Sequence, residues 1–487
     1  MLPKARLLFS AFLLLTLCIA AGSAAAAATA TPLTKATGIL DAVWGDAPDG
    51  EHHLRWFLTD DRGLRTELRI DDLPRFGIDR WNHRRVRVTY ESAAVDQGTP
   101  PLVRLVEVLP SQPEAIRSDG RSPISGSKPW VSILCKFADI SAEPENLAFF
   151  QGMYANVPGG LDHYWREVSY DAIDIVGSTA VAWVTLPRVR TQYVPTPGSG
   201  NNANLGLLFS DCTAAADSLV DFSNGGSPFE GINLMFNATL DCCAWGGSRF
   251  ATLDGVSKSW RSTWNPPWAF AQEAVIAHEM GHGFGLPHSN NSDGDSDPYD
   301  SPWDVMSAAT SYTVNDSTYG RLGKHINSYH KNRLDWIPAN RIFTVANDGS
   351  FTVTVDNLAR ASTSNYRMIR IPLGGATEYT VETRDQTGNY DGNVPGRAVI
   401  IHHVDPSRAA DAEVIDADVP PATFSDNEGS MWKVGETYVD TANEISIRID
   451  SATANGFQVT VTRGDAPSIF EDGFESGNVS AWTTSVE

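Results

Sequence analysis

Residues 277–289 read AHEMGHGFGLPHS, and this stretch limits the possible folds more than any other in the chain. Three histidines and a glutamate fall within it, in a sequence with 11 histidines among 487 residues. The run before it, PPWAFAQEAVI, opens on two prolines and continues in helix formers, and glycines close it, which predicts a helix from about 268 to 283. His278 and His282 are four apart and so lie one turn apart on the same helix face. Gly285 permits a sharp turn off the helix end, which lets His288 approach the same point. A fold that satisfies this segment must bring three imidazoles together.

Two imidazoles so placed reach a single Zn²⁺ at about 2.0–2.1 Å, with His288 as the third ligand. Three protein ligands leave one position for water, whereas a closed structural site uses four, typically with cysteine. Zinc lowers the pKa of that water towards about 7, and Glu279 stands where it can take the proton without itself binding metal. In a chain of this length and composition, chance supplies H-E-x-x-H about once in a hundred sequences. The full pattern arises by chance in roughly a few per 100,000. The segment is therefore read as a metal site.

H-E-x-x-H-x-x-G-x-x-H resembles the signature of the metzincin zinc endopeptidases. The chain also has SPWDVMSAA, whose Met306 matches the Met-turn of that group. By this resemblance Met306 forms the apolar floor of the zinc site. Within the group, HYWREVSYDAIDIVG, AWVTLP, LGKHINSYHKNRLDWIP and YTVETRDQTGNYDGNVPGRAVIIHHVD resemble the gametolysin and immune-inhibitor-A type of secreted protease, over about 130–405. The likeness implies an α/β catalytic domain and hydrolysis of peptide bonds in protein or peptide substrates bound extended along a cleft. Many metzincins stabilise the oxyanion with a tyrosine near the Met-turn, which makes Tyr312 the candidate here, although it lies further past Met306 than is usual.

The rest of the chain sorts by texture into a multidomain α+β protein. Residues 1–30 combine Lys4 and Arg6 with an apolar run and alanine-rich cleavage sites, which reads as a secretory signal peptide cut near Ala28 or Ala30. The competing lipoprotein reading at Cys18 suffers from the bulky Leu17 before it. Residues 31–110 alternate apolar and polar in five short strands, so a small β-barrel or sandwich is expected, loosely similar to a five-stranded oligonucleotide-binding type barrel. Residues 111–128 are polar and rich in Ser, Pro and Gly, and read as a linker open to proteolytic nicking. The catalytic domain is assigned to 129–340, a β-sandwich to 341–465, and an acidic mobile tail to 466–487.

With 37 Lys and Arg against 59 Asp and Glu, the net charge is −22, which disfavours nucleic acid and anionic membrane surfaces as partners. The basic run RWNHRRVRVTY is read as a solvated strand face, its charge cancelled by nearby acids. The expectation is a secreted monomer, free of the membrane once the leader is removed.

Cys135, Cys212, Cys242 and Cys243 make an even set in an exported protein, which implies two disulfides. A bridge between adjacent cysteines is strained, so Cys242 and Cys243 are each expected to pair with Cys135 or Cys212. Asp293, Asp295, Asp297 and Asp300 alternate in a tight loop after the zinc ligands and form a candidate Ca²⁺ site, though without an EF-hand pattern. His325, His330, His402 and His403 are assigned structural or surface roles.

The N-terminal β-region sits where a pro-segment would, and has no cysteine between 31 and 128 to plug a zinc site. Any latency it confers must come from steric cover or from an aspartate ligand; a permanent accessory domain is the alternative. The competing functions are a catalytically silent zinc-containing extracellular binding protein and an adhesin or carbohydrate-binding role for residues 341–465. Retention of Glu279 argues against the first.

Overall fold

Strand β1 (Leu33–Asp46) does two jobs, and that decides how the N-terminal region relates to the rest. Its first half pairs antiparallel with β4 (Arg84–Glu91), and residues from Gly38 onward pair with β2 (His52–Asp60). β3 (Arg65–Leu68) continues from β2, β5 (Val103–Val108) from β4, and a bridge between Arg69 and Leu102 joins the two ends. The five strands therefore close into the small barrel expected from their spacing. Leu40, Ala42 and Trp44 alternate onto its interior with Trp56, Leu58, Val86 and Val88, so the barrel has an apolar core of its own. Arg85 and Arg87 in the basic run meet Asp61 and Glu107, consistent with a solvated, charge-balanced face. These coordinates, a computed structural model, describe residues 32–71, 81–91, 99–109, 123–294, 297–417 and 427–464. The expected leader, most of the linker and the tail lie outside them.

The last four residues of β1, still paired with β2 on one side, pair antiparallel with β11 (Ala244–Leu253) on the other, Val43 opposite Gly247 and Asp46 opposite Ala244. The N-terminal region is thus stitched onto the central sheet, and the expected boundary at 128 is crossed by strand pairing. That sheet runs β1-β11-β12-β10-β7-β9, with β7 (Trp130–Lys136), β9 (Thr179–Thr185), β10 (Gly231–Phe236) and β12 (Val256–Asn265) mutually parallel. β11 is antiparallel to β12 through the tight Asp254-Gly255 turn, where both residues have positive φ. A short pair, β6 (Gly126–Ser127) with β8 (Ile173–Asp174), lies apart from it.

Side chains from the two faces of this sheet feed two cores. Val131, Ile133 and Cys135 of β7 and Ile232, Leu234 and Phe236 of β10 pack under α4 (Leu205–Ala216), which inserts Leu208, Phe209 and Cys212. On the opposite face Trp130, Leu134 and Met235 meet α2 (Leu161–Ser169) and the helix bearing the histidines. Helices on both faces explain why β7 and β10 read as nearly unbroken apolar runs. Short helices α1 (Leu147–Gly152) and α3 (Arg190–Tyr193) complete the edges of these layers.

α4 lies over β7 with Cys212 facing Cys135, their Cα atoms 5.9 Å apart, and the two are bonded. That leaves Cys242 and Cys243, adjacent in the turn before β11 and bonded to each other, with Cα atoms 3.7 Å apart. The expected cross-pairing is corrected: once α4 packs on β7, both outside partners are used up.

The C-terminal region holds β16 (Ile342–Thr344), β17 (Gly349–Asp356), β18 (Met368–Gly374), β19 (Thr377–Arg384), β20 (Ala398–Val404), β21 (Ala410–Val414), β22 (Thr437–Asp440), β23 (Ile445–Ala452) and β24 (Gly456–Arg463). One sheet runs β17-β24-β23-β22 and the other includes β21-β20-β19-β18-β16. Val353, Val355, Val459 and Ile447 from the first face Ile369, Val381 and Ile401 from the second, a two-sheet sandwich. The second sheet also takes in β13 (His288–Asn291), which pairs parallel with β21. The sandwich is therefore joined by its sheet to the segment carrying the third histidine. The whole is a mixed α/β, multi-sheet protein, mostly strand with few helices.

Candidate metal centre

The helix expected over 268–283 is present but divided, as α5 (Pro267–Phe270) and α6 (Glu273–Gly283). Gln272 between them is extended because its neighbours bind sideways. The Glu273 N–H donates to Tyr319 O at 2.8 Å, and Gln272 Oε1 accepts from the Arg321 N–H at 2.8 Å. Both partners lie at the hairpin β14 (Asn315–Asp316) and β15 (Gly320–Arg321). α6 is buried along its whole length, so its amphipathicity is weak and its position is fixed by packing between sheet and loops.

At the other end the chain leaves α6 through a Schellman turn. The Leu286 N–H donates to Gly281 O and the Gly285 N–H to His282 O, with Gly285 at φ +90°. Two residues later His288 enters β13, on the same side as His278 and His282. One ring nitrogen from each histidine and one carboxylate oxygen of a fourth residue, Asp46 at the end of β1, all lie within 4.8 Å of one another. His278 Nε2 and His282 Nε2 are 3.4 and 3.3 Å from Asp46 Oδ2, and His288 Nε2 is 2.7 Å from Asp46 Oδ1.

The outward nitrogens fix the tautomers. His278 Nδ1–H donates to Val305 O and His282 Nδ1–H to Leu286 O, each at 2.7 Å. Both rings are thereby set to present an unprotonated Nε2 inward, the state a metal ligand needs. Burial also pushes the His282 imidazole down to about 3, outweighing the raising effect of Asp46, so it is neutral at ordinary pH. Trp44, two residues before Asp46 on the same face of β1, stacks flat on His282, with centroids 4.7 Å apart and planes 4° apart.

Glu279 lies between this cluster and β11, fully buried, with neither carboxylate oxygen hydrogen-bonded. Burial first, and then the Asp46 carboxylate, raise its pKa well above the usual range. Space for it depends on Gly246 of β11, where a Cβ would lie 2.7 Å from Glu279 Oε2 and 2.5 Å from its backbone oxygen. Met306 is buried under the helix, where a Cβ on Gly281 would overlap its sulfur. Its backbone is held by Asp304 Oδ1, which accepts the Met306 N–H at 2.9 Å, and by the Ser289 N–H, which donates to Met306 O at 3.1 Å. Sequence-assigned His278, Glu279, His282, His288 and Met306 therefore meet at one place.

The donor set fits a metal ion. Asp46 Oδ2 is buried without a hydrogen bond and faces the Nε2 atoms of His278 and His282, while His288 Nε2 meets the other carboxylate oxygen at 2.7 Å. Burying a carboxylate and a second carboxylic group in this way is costly unless a cation compensates.

Tyr312 and the aspartate loop turn out differently from expectation. Tyr312 points away, its hydroxyl accepting from Asn427 Nδ2 at 2.9 Å, because the backbone turns at this residue with φ +52°. Tyr299 takes the place by the histidines: its ring centroid is 5.5 Å from that of His288, and its hydroxyl donates to Asp46 Oδ1. Among the described residues, Asp293, Asp297 and Asp300 do not converge as a metal group, and Asp295 lies outside them. Asp297 and Asp300 accept the N–H groups of Tyr299 and Asn291, both at 2.8–2.9 Å, and so shape the loop that carries Tyr299.

His325, His330 and His402 are fully buried and His403 is half-buried, all away from the metal cluster. His330 bridges Asp304 and Asp411, at 3.3 and 2.8 Å. Desolvation opposes its charge, but Asp411 and Asp304 together raise it to about 9, while it helps hold Asp304 at about 2 against burial. The pair supports the Met306 turn from behind. A cleft of about 720 Å³ opens beside the cluster, lined by His278, Glu279, Tyr299, Trp268 and residues 46–50 and 307–311. Comparison with protein-family models, curated proteins and solved structures returns no match.

Proposed function

We propose that the protein is an exported zinc-dependent endopeptidase of metzincin type, with His278, His282 and His288 as metal ligands and Glu279 as general base. The reading is carried by one observation: a buried glutamate with no hydrogen-bond partner beside three convergent imidazoles, two of which, His278 and His282, have their other nitrogen fixed by a carbonyl. All-imidazole ligation suits Zn²⁺ among abundant cations. Zinc bound there supplies Lewis-acid polarisation of a peptide carbonyl and of a water.

The chain's own groups do the rest. Glu279, raised by burial, accepts the proton of the attacking water and returns it to the leaving amine. The Tyr299 hydroxyl is near enough to His288 to donate to the carbonyl oxygen as charge builds on it. Strand β11, on the side where residues 43–46 of β1 pair with it, carries backbone N–H and C=O groups suited to an extended polypeptide. The cleft beside Glu279 receives the side chains flanking the scissile bond.

The test is hydrolysis of an unfolded protein such as casein, by the purified chain as isolated and after limited proteolysis of residues 111–128. Wild type and Glu279→Ala are run side by side with zinc content measured on both. Cleavage that a chelator stops, with Glu279→Ala keeping zinc but losing about 10²–10⁴-fold in rate, is the expected result. Zinc held by both proteins with no cleavage under any condition would favour the silent binding protein instead.

A further inference from the structure

We propose that strand β1 is an internal inhibitor: Asp46 is a fourth ligand to the metal, and residues 43–46 occupy the sheet edge that a substrate chain needs. The inference rests on the zinc-protease reading above.

Three independent features of this chain converge on it. The Asp46 side chain is more than nine-tenths buried, and its Oδ2 is aimed between His278 and His282 with no hydrogen bond of its own. A carboxylate in that position would supply a fourth donor to a cation held by the three histidines, in place of a water or a substrate carbonyl. Next, β1 pairs with β11 from Val43 to Asp46 and covers the row of backbone groups that β11 would otherwise present as an open edge. Finally, alternate residues of β1 lock the arrangement, Trp44 stacking on His282 and Asp46 reaching the ligands, while residues 47–50 form a wall of the cleft beside Glu279. A purely structural aspartate hydrogen-bonded to His288 would explain one of its oxygens but leaves the other facing two bare imidazole nitrogens.

The barrel that holds the first half of β1 has an apolar core of its own around Leu40, Trp56, Leu58, Val86 and Val88. To uncover β11 it must give up the four-residue pairing, the stack on His282, the Asp46 contacts, the packing of Val43 and Phe57 in the core under α4, and the bonds that Ser248, Ser259 and the Phe250 N–H donate to Asp41.

The full chain loaded with Co²⁺, whose visible spectrum reports its ligands, tests this. Wild type, Asp46→Ala and Asp46→Asn should each bind one cobalt. Both variants should show an altered spectrum and lose cobalt to a chelator about tenfold faster or more. Both should also hydrolyse casein about tenfold or more above the wild-type background. Azide added to wild type should leave its spectrum unchanged, because the fourth position is taken, and should alter those of the variants. A wild-type spectrum that responds to azide overturns the proposal whether or not the variants fold. Unchanged spectra and chelator rates in both variants also overturn it, and changed spectra without a gain in hydrolysis overturn the inhibitory role. Failure of wild type to bind cobalt stoichiometrically removes this inference together with the protease reading beneath it.

Discussion

Tyr299 donates its hydroxyl to Asp46 Oδ1 at 2.5 Å, joining residues 253 positions apart in sequence. The same hydroxyl is thus engaged by β1 and held near the histidines, in the wall of the cleft that also contains Glu279. Released from Asp46, it is placed to donate to a carbonyl oxygen as that oxygen becomes negative. In the Asp46→Ala background, Tyr299→Phe should therefore lower kcat about a hundredfold, with KM and bound zinc little changed. Steady-state kinetics on a quenched peptide, with metal analysis, check it. A rise in KM at constant kcat would assign Tyr299 to ground-state binding instead.

What was legible in the sequence was the short-range part of the site. Four-residue spacing puts His278 and His282 on one face, and Gly285 allows the turn to His288, because both rules act within a few residues. Asp46 was not legible: it lies 242 residues from His288, and only the pairing register of β1 with β11 brings it in. The β11–β12 hairpin is hard to read although Asp254-Gly255 is a recognised turn pair, since the flanking WGGSRF and KSWRSTW alternate poorly. Proximity to the Met-turn points to Tyr312, but that rule of spacing says nothing about which way a loop faces, and it is Tyr299 that reaches the histidines. The cysteine pairing is hidden for a similar reason: strain between adjacent residues argues against a Cys242–Cys243 bridge, but the contact of α4 with β7, which joins Cys212 to Cys135, decides it.

Glu273, in the first turn of α6, predicts a pH dependence of stability. Burial pushes its carboxyl up to about 8, against the lowering effect of the Gly323 N–H, which donates to Oε2 at 2.7 Å; Asp316 adds a smaller push upward. Tyr164 and Tyr390 are the other titratable groups that feel it, and burial raises both out of the working range. A folded pKa above the unfolded value near 4.5 means that the native state holds the proton more tightly. This contribution is therefore fully present below about 4.5 and is lost as pH rises through about 8, on the order of a few kcal/mol. Glu273→Gln keeps an acceptor for Gly323 and has no charge to bury. Denaturant unfolding of both proteins between these limits should show wild type losing stability relative to the variant as pH rises. A difference that stays flat with pH would contradict the buried-carboxyl account.

Arg384 links the C-terminal sandwich to the floor of the site, and its loss should be felt at the metal. Its guanidinium makes a bidentate pair with Asp391, at 2.8 and 2.9 Å, and a third bond to Glu382 Oε1 at 3.0 Å. It also donates to Trp303 O at 2.5 Å, in the segment that goes on to Val305 and Met306. Every partner is fully buried. Arg384→Met would leave two carboxylates in the interior without their cation, which costs about 3–5 kcal/mol. The segment from Trp303 to Met306 would lose its anchor, and with it the carbonyl of Val305 that orients His278. The variant should therefore unfold at lower denaturant and release its metal about 10–100-fold faster than wild type. Arg384→Lys, which keeps the charge but cannot form the bidentate pair, should fall between the two. Loss of stability with an unchanged metal-release rate would show that the sandwich supports the fold without positioning the site.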